Sequence, residues 1–168
     1  MCIRDSFNKA IDDVVDKSQW QRITDPVDIV IVEGWCWGVE PQTSETLDQP
    51  INALEEKQDK SGQWRHYVNQ QLTKHYQPLY TLMNTWVAIL APSFDYVYQW
   101  RLEQENKLAN SVKTTNHKIM SPEEVAQFIC YFERLTNAAL EQMPELADVV
   151  IRLGQQRNVI ELKSTIKD

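Results

Sequence analysis

The run Val27-Asp28-Ile29-Val30-Ile31-Val32 constrains this chain more than any other segment. Asp25-Pro26 breaks the backbone before it, and Glu33-Gly34 ends it. Four of its residues are consecutive and β-branched. A near-continuous apolar run of this kind predicts a strand covered on both faces, as in a parallel sheet. A carboxylate at the carboxyl end of such a strand, followed by a glycine turn, lies where open α/β sheets bind ligands.

The remaining segments predict an alternation of helices and strands. Phe7, Ile11, Val14 and Val15, mixed with acids, predict a short helix or turn before Trp20. Residues 35–65 are irregular, with Pro41, Pro50 and Gly62; so long a stretch predicts a functional loop or short helices. Tyr67, Val68, Gln71, Leu72, Tyr76, Leu79 and Tyr80 recur at helical spacing, with Pro78 near the end. Trp86 to Leu90 is a second apolar run, stopped by Ala91-Pro92. Ser93 then caps a helix carrying Phe94, Val97, Tyr98, Arg101, Leu102, Glu105 and Leu108. Residues 110–120 are polar. Ser121-Pro122-Glu123-Glu124 is a capping box with proline at the first helical position, and Pro144 ends that helix. Ala147 to Ile151 and Val159 to Leu162 predict two further strands. This order is that of an α/β sandwich with parallel strands. Met1 to Ser6 shows no period and is set aside as a non-native scar; residues 7–168 read as one domain.

Composition narrows the function. Seventeen Lys plus Arg stand against 24 Asp plus Glu, a net charge of −7. Such a chain has no global pull on nucleic acid, whose binding rests on displacing counterions with basic side chains. No apolar run approaches the ~20 residues of a membrane helix, and Met1 to Asn8 is no signal peptide. Cysteines at 2, 36 and 130 fit neither a disulfide framework nor a paired metal-ligand pattern, so a reducing, cytoplasmic setting is expected. Neither a nucleic acid nor a membrane is an expected partner.

Few residues stand out as chemical. Glu33 reads either as a carboxylate that holds Mg²⁺ or takes a proton from a hydroxyl, or as a glutamate exposed where a strand meets a loop. Arg101 reads as a surface partner of Glu105 at i+4, or as a planar donor leaning over a transferring phosphoryl group. Trp64-Arg65-His66-Tyr67 reads as a packed corner, or as a site where Arg65 meets a small anion. The three histidines have no motif partners, and Cys36 has no base near it in sequence. Of the four glycines (34, 38, 62 and 154), none begins G-x-x-x-x-G-K-[ST], so these 168 residues hold no phosphate-cradling loop.

Six segments together resemble the P-loop kinases related to D-glycerate 3-kinase: Phe7 to Asp13 (FNKAIDD), Pro26 to Gly38 (PVDIVIVEGWCWG), Gly62 to Asn69 (GQWRHYVN), Tyr76 to Tyr80 (YQPLY), Ala91 to Leu108 (APSFDYVYQWRLEQENKL) and Met120 to Thr136 (MSPEEVAQFICYFERLT). The resemblance implies ATP-dependent phosphorylation of a small hydroxylated substrate, foremost D-glycerate, with ATP and Mg²⁺ as cofactors. It makes Glu33 the acid near Mg²⁺ and the reacting hydroxyl, and Arg101 a lid residue reaching the phosphates. Lys9, Asp13 and Arg65 would lie toward the acceptor, and adenine near the Gly154 to Asn158 turn, with Gly154 and Arg157 as nucleotide-binding residues. Asn8 replaces an expected acid, and Val14 an expected arginine. The implied fold is a three-layer α/β sandwich with a mainly parallel sheet, of P-loop NTPase kinase type. Its first strand and phosphate loop would precede this chain, between the strands at 27–32 and 86–90. The chain is therefore expected to be the C-terminal part of one kinase domain, marginally stable and inactive alone. A non-catalytic α/β binding or regulatory module is the alternative of a different class. A kinase for another alcohol, such as a nucleoside or a pantothenate-like substrate, is the third.

Overall fold

The computed structural model describes residues 2–4, 7–8, 13–111 and 119–166. The N-terminal part is built from short antiparallel pieces: β1 (Cys2–Arg4) pairs with β4 (Gln21–Ile23), and β2 (Phe7–Asn8) with β3 (Asp13–Val14). The helix or turn expected over 7–20 is thus a pair of two-residue strands followed by a 3₁₀ turn at Lys17–Gln19, which the Asp16 side chain caps.

Three short helices occupy the stretch read as irregular: α1 (Ser44–Asp48), α2 (Ala53–Gln58) and α3 (Gln63–Gln71). Each start has a local cause. Thr43 and Asn52 cap α1 and α2 through their side chains. At α3, Gly62 takes a left-handed φ of 73°, and the Asp59 carboxylate accepts from the Trp64 and Arg65 amides. A π-helical turn, Leu72–Tyr76, carries the chain on into α4 (Gln77–Tyr80). Pro78 has no N–H to give to the preceding turn, and the wider turn absorbs that loss.

Two buried arginines close the end of α1. Its last carbonyls would lack partners if left alone. Arg65 of α3 donates to Leu47 O and Asp48 O, and Arg134 donates to Thr46 O and Gln49 O. Arg65 is also paired with Asp59, and Arg134 with Glu55.

The C-terminal part holds the sheet: β5 (Val87–Leu90), β6 (Val149–Leu153) and β7 (Val159–Ser164). β5 and β6 are parallel, Val87 opposite Val149; β6 and β7 are antiparallel, Val150 opposite Lys163. Between β5 and β6 run α5 (Phe94–Ser111) and α6 (Pro122–Leu146). The capping box at Ser121 and Glu124 forms as read, but α6 runs two residues past Pro144. Ala88, Leu90 and Val150 pack with Met143 and Ala147 at the end of α6. A second cluster joins Val39, Leu72 and Ala138. The opposite face of β5, Val87 and Ile89, is exposed.

The strand expected over 27–32 does not form. The segment is unpaired, with Ile29 79% and Ile31 85% exposed. A strand needs a neighbour, and the sheet runs β5-β6-β7 with nothing among the described residues on the outer side of β5. The α/β architecture itself is as the sequence implies.

Candidate functional site

A cavity of about 500 Å³ lies between α5, α6 and the two turns that approach them. From α5 come Trp100, Arg101, Gln104 and Lys107, spaced along one helical face. From α6 come Phe128, Ile129 and Phe132, again one face. Trp35 enters from the turn after Glu33, and Arg157 from the turn between β6 and β7.

Three cations and several aromatic rings therefore share one hollow. The Arg101 guanidinium lies 5.4 Å from the centre of the Phe128 ring, and Arg157 lies 5.7 Å from that of Trp100. Arg101 is held by Gln104 at 2.6 Å and by the buried Glu105, whose other oxygen accepts from the Met120 amide. Its Nε is buried and has no hydrogen-bond partner among the described residues. Lys107 and Arg157 both pair with Glu103. A polyphosphate fits such a donor set, because it supplies many acceptor oxygens and a negative charge.

Backbone geometry presents Arg157 and Trp35. Arg157 has a φ of 63°, a left-handed value that costs about 1–3 kcal/mol in a non-glycine residue. The turn is closed by Gly154 N to Asn158 O at 2.8 Å and Arg157 N to Gly154 O at 2.9 Å. Cys36, next to Trp35, has a φ of 58°. The Trp35 indole N–H donates to the buried Thr136 hydroxyl of α6 at 2.9 Å, and the Cys36 sulfur lies 3.6 Å from the same oxygen. Burial pushes the Cys36 thiol up to about 11, although the contact with Thr136 lowers it in part, so the sulfur is protonated at neutral pH.

The residues singled out in the sequence fall in different places. Arg101 and Arg157 meet in the cavity; Gly154 forms the turn that carries Arg157. Glu33 is exposed, two residues before Trp35, and does not line the cavity. Asp13 is exposed in β3, its carboxylate accepting from the Val14 amide. Lys9 lies outside the described residues. Arg65 lines a second cavity, enclosed by α1–α3 and α6, with its guanidinium held by Asp59 and the end of α1. Trp35, Trp100, Lys107, Phe128 and Phe132 escaped the sequence reading as site residues. The signal for the α5 set was present as the i, i+3, i+4 stripe of Val97, Trp100, Arg101 and Gln104. Its mixture of aromatic and charged types hid it behind the apolar stripe beside it.

Among the described residues no group of three His, Cys, Asp or Glu side chains could hold a metal ion, and no helix is long and apolar enough to cross a membrane.

No family model matches the chain. It is 34% identical over 124 residues to "Uncharacterized kinase mug58" of Schizosaccharomyces pombe, a match covering 70% of this chain and 40% of that protein. It is 27% identical over 117 residues to the chloroplastic D-glycerate 3-kinase of Arabidopsis thaliana, covering 70% of this chain and 22% of that protein. The solved D-glycerate 3-kinase of Cryptococcus neoformans shares the fold, with a TM-score of 0.70 at 20% identity over 97% of this chain and 59% of that one. The chain thus spans less than half the length of the curated relatives it matches. The chain is therefore similar in sequence to a kinase of this group and to a D-glycerate 3-kinase, and it shares the α/β fold of a solved D-glycerate 3-kinase.

Proposed function

We propose that the protein transfers a phosphoryl group from ATP to a hydroxyl of a small metabolite, with D-glycerate the leading acceptor, as the names of its relatives indicate. The observation that carries this reading is the cavity in which Arg101, Lys107 and Arg157 converge among aromatic rings. Phosphoryl transfer is mostly positioning and charge stabilisation, and convergent cations supply both. The Arg101 guanidinium, fixed by Glu105 and Gln104, brings a positioned positive charge to the wall of that cavity. Arg157, lying over Trp100 at the β6–β7 turn, binds at the nucleotide end, with Gly154 shaping that turn.

Glu33 is the proposed acid of the site. As the carboxylate nearest Trp35 in sequence, it takes the proton of the acceptor hydroxyl or ligates Mg²⁺. One carboxylate suits Mg²⁺, which takes its other ligands from phosphates and water. Mg²⁺ bound with ATP neutralises charge developing between the phosphates. Asp13 and Lys9 remain proposed acceptor-side residues. Arg65 is proposed there too, acting through its fixed position beside Asp59, because its donors are engaged internally.

A coupled ADP-release assay on the product of the complete gene tests the reading. D-glycerate-dependent turnover that falls at least tenfold in Glu33→Gln supports it. ATP turnover indifferent to D-glycerate, and to nucleoside and pantothenate-like alcohols, overturns it.

A further inference from the structure

We propose that the second cavity, between α1–α3 and α6, is a binding site for a small, uncharged aromatic molecule. The inference does not rest on the kinase reading: this cavity shares no lining residue with the first, and Arg65 in its wall enters that reading only as a group fixed beside Asp59. Its volume is about 420 Å³, within the range that encloses small molecules. Leu47, Leu54, Val68 and Leu135 supply the aliphatic part of its wall. Trp64 and Tyr131 also line it and are exposed, so their rings face both the hollow and water.

The charges in this wall decide the ligand class. Arg65 is balanced by Asp59 and Arg134 by Glu55, so the four formal charges sum to zero. Each guanidinium already makes four hydrogen bonds. Arg65 donates to Leu47 O, Asp48 O, Asp59 O and the Asp59 carboxylate; Arg134 donates to Thr46 O, Gln49 O and both oxygens of Glu55. An anion entering here would lose its water and find no free cation, and a cation would find no free carboxylate. An apolar ring loses little hydration and gains the aliphatic wall and the faces of Trp64 and Tyr131. The Gln58 carboxamide, which makes no side-chain hydrogen bond among the described residues, is available to one polar group on the ring. The chemistry is that of an indole or a phenol.

α6 also separates this cavity from the first. Cys130, Tyr131, Arg134 and Leu135 face one, while Phe128, Ile129 and Phe132 face the other. Cys130 gives the test its reporter. Indole is titrated into the 168-residue chain and followed by ligand-observed NMR, with benzoate and D-glycerate as anionic counterparts. Alkylation of Cys130 by iodoacetamide at pH 9 is read by mass spectrometry in parallel. We expect saturable indole binding, at least tenfold tighter than benzoate or D-glycerate, that slows Cys130 alkylation and is lost in Val68→Phe, which fills the hollow. Benzoate or D-glycerate binding as tightly as indole overturns the proposal, as does indole binding that leaves Cys130 alkylation unchanged. Should Val68→Phe fail to fold, Cys130 protection in the unmodified chain decides alone.

Discussion

The Trp35 indole N–H meets the Thr136 hydroxyl at 2.9 Å across 101 residues of sequence, and this bond fixes the turn after Glu33 against α6. The hydroxyl is fully used: it donates to Phe132 O at 2.8 Å and accepts from Trp35, with the Cys36 sulfur beside it. Thr136→Val keeps the shape and removes the acceptor, leaving a partly buried indole N–H unpaired. The expected loss is about 1–2 kcal/mol of stability in urea unfolding, with a shifted tryptophan emission. Thr136→Ser should retain most of the stability. A Thr136→Val chain as stable as the parent would show that the turn is held by packing alone.

The buried ion pairs behave differently from exposed ones. Removing Arg134 strands Glu55 in a buried site and uncaps Thr46 O and Gln49 O together. Arg134→Met is expected to cost about 3–5 kcal/mol, whereas replacing the exposed Lys163 beside Glu161 should cost under about 1 kcal/mol. Thermal melts of the two variants make the comparison.

These pairs also set an acid limit. Burial alone would raise the Glu55 and Asp59 carboxyls. Hydrogen bonds and the charge of Arg134 outweigh it at Glu55, as the Trp64 and Arg65 amides and the Arg65 guanidinium do at Asp59, so both sit below their ordinary values. The stabilisation is therefore complete at neutral pH and is lost as pH falls through the carboxylate range, below about 4. Circular dichroism against pH should show α1–α3 loosening there, and no comparable loss between about pH 6 and 8.

How much of this was legible in the sequence depended on whether the cause was local. The capping box at Ser121 and Glu124 was readable because every participant lies within four residues. β5 and β6 were readable from their apolar runs. Val27 to Val32 reads as a strand by the same rule and is not one, because a strand is defined by a neighbour and the run carries no information about whether that neighbour is at hand. Trp64-Arg65-His66-Tyr67 reads as a packed corner or as an anion site, and the sequence does not choose between them: the partners of Arg65 come from α1 and from Asp59, and only the fold brings α1 there. Arg101 stands out in the sequence by its i+4 spacing to Glu105 and Arg157 only through the resemblance; that they share a hollow with Trp35 is a tertiary fact.

Gly38 has no tolerance for a side chain. Its φ is 94°, and a Cβ would stand 2.7 Å from the Trp86 ring. Trp86 is itself packed edge-on to Tyr80, and Tyr80 to Trp37, so the ring has little room to withdraw. Gly38→Ala is expected to cost about 2–4 kcal/mol from strain and overpacking combined. Gly34→Ala, where the nearest atom would be 3.6 Å away, serves as the control and should cost much less. Urea midpoints for the two variants read the difference.

Residues 27–32 are bonded to no strand among the described residues, and Ile29, Val30 and Ile31 lie open to water. Exposed amides without partners exchange at rates set by the chain itself, while amides bonded within α6 wait for an opening. Hydrogen exchange on the 168-residue chain should therefore show no protection over 27–32 and strong protection over 125–143. The apolar face of β5, Val87 and Ile89, adds to the same exposed surface. A surface of that kind binds hydrophobic dyes and promotes association, so the chain should melt over a broad range and aggregate with rising concentration. Slow exchange at Ile29 to Val32 together with a sharp, concentration-independent melt would mean that the run is paired in solution, and that the edge of β5 is covered.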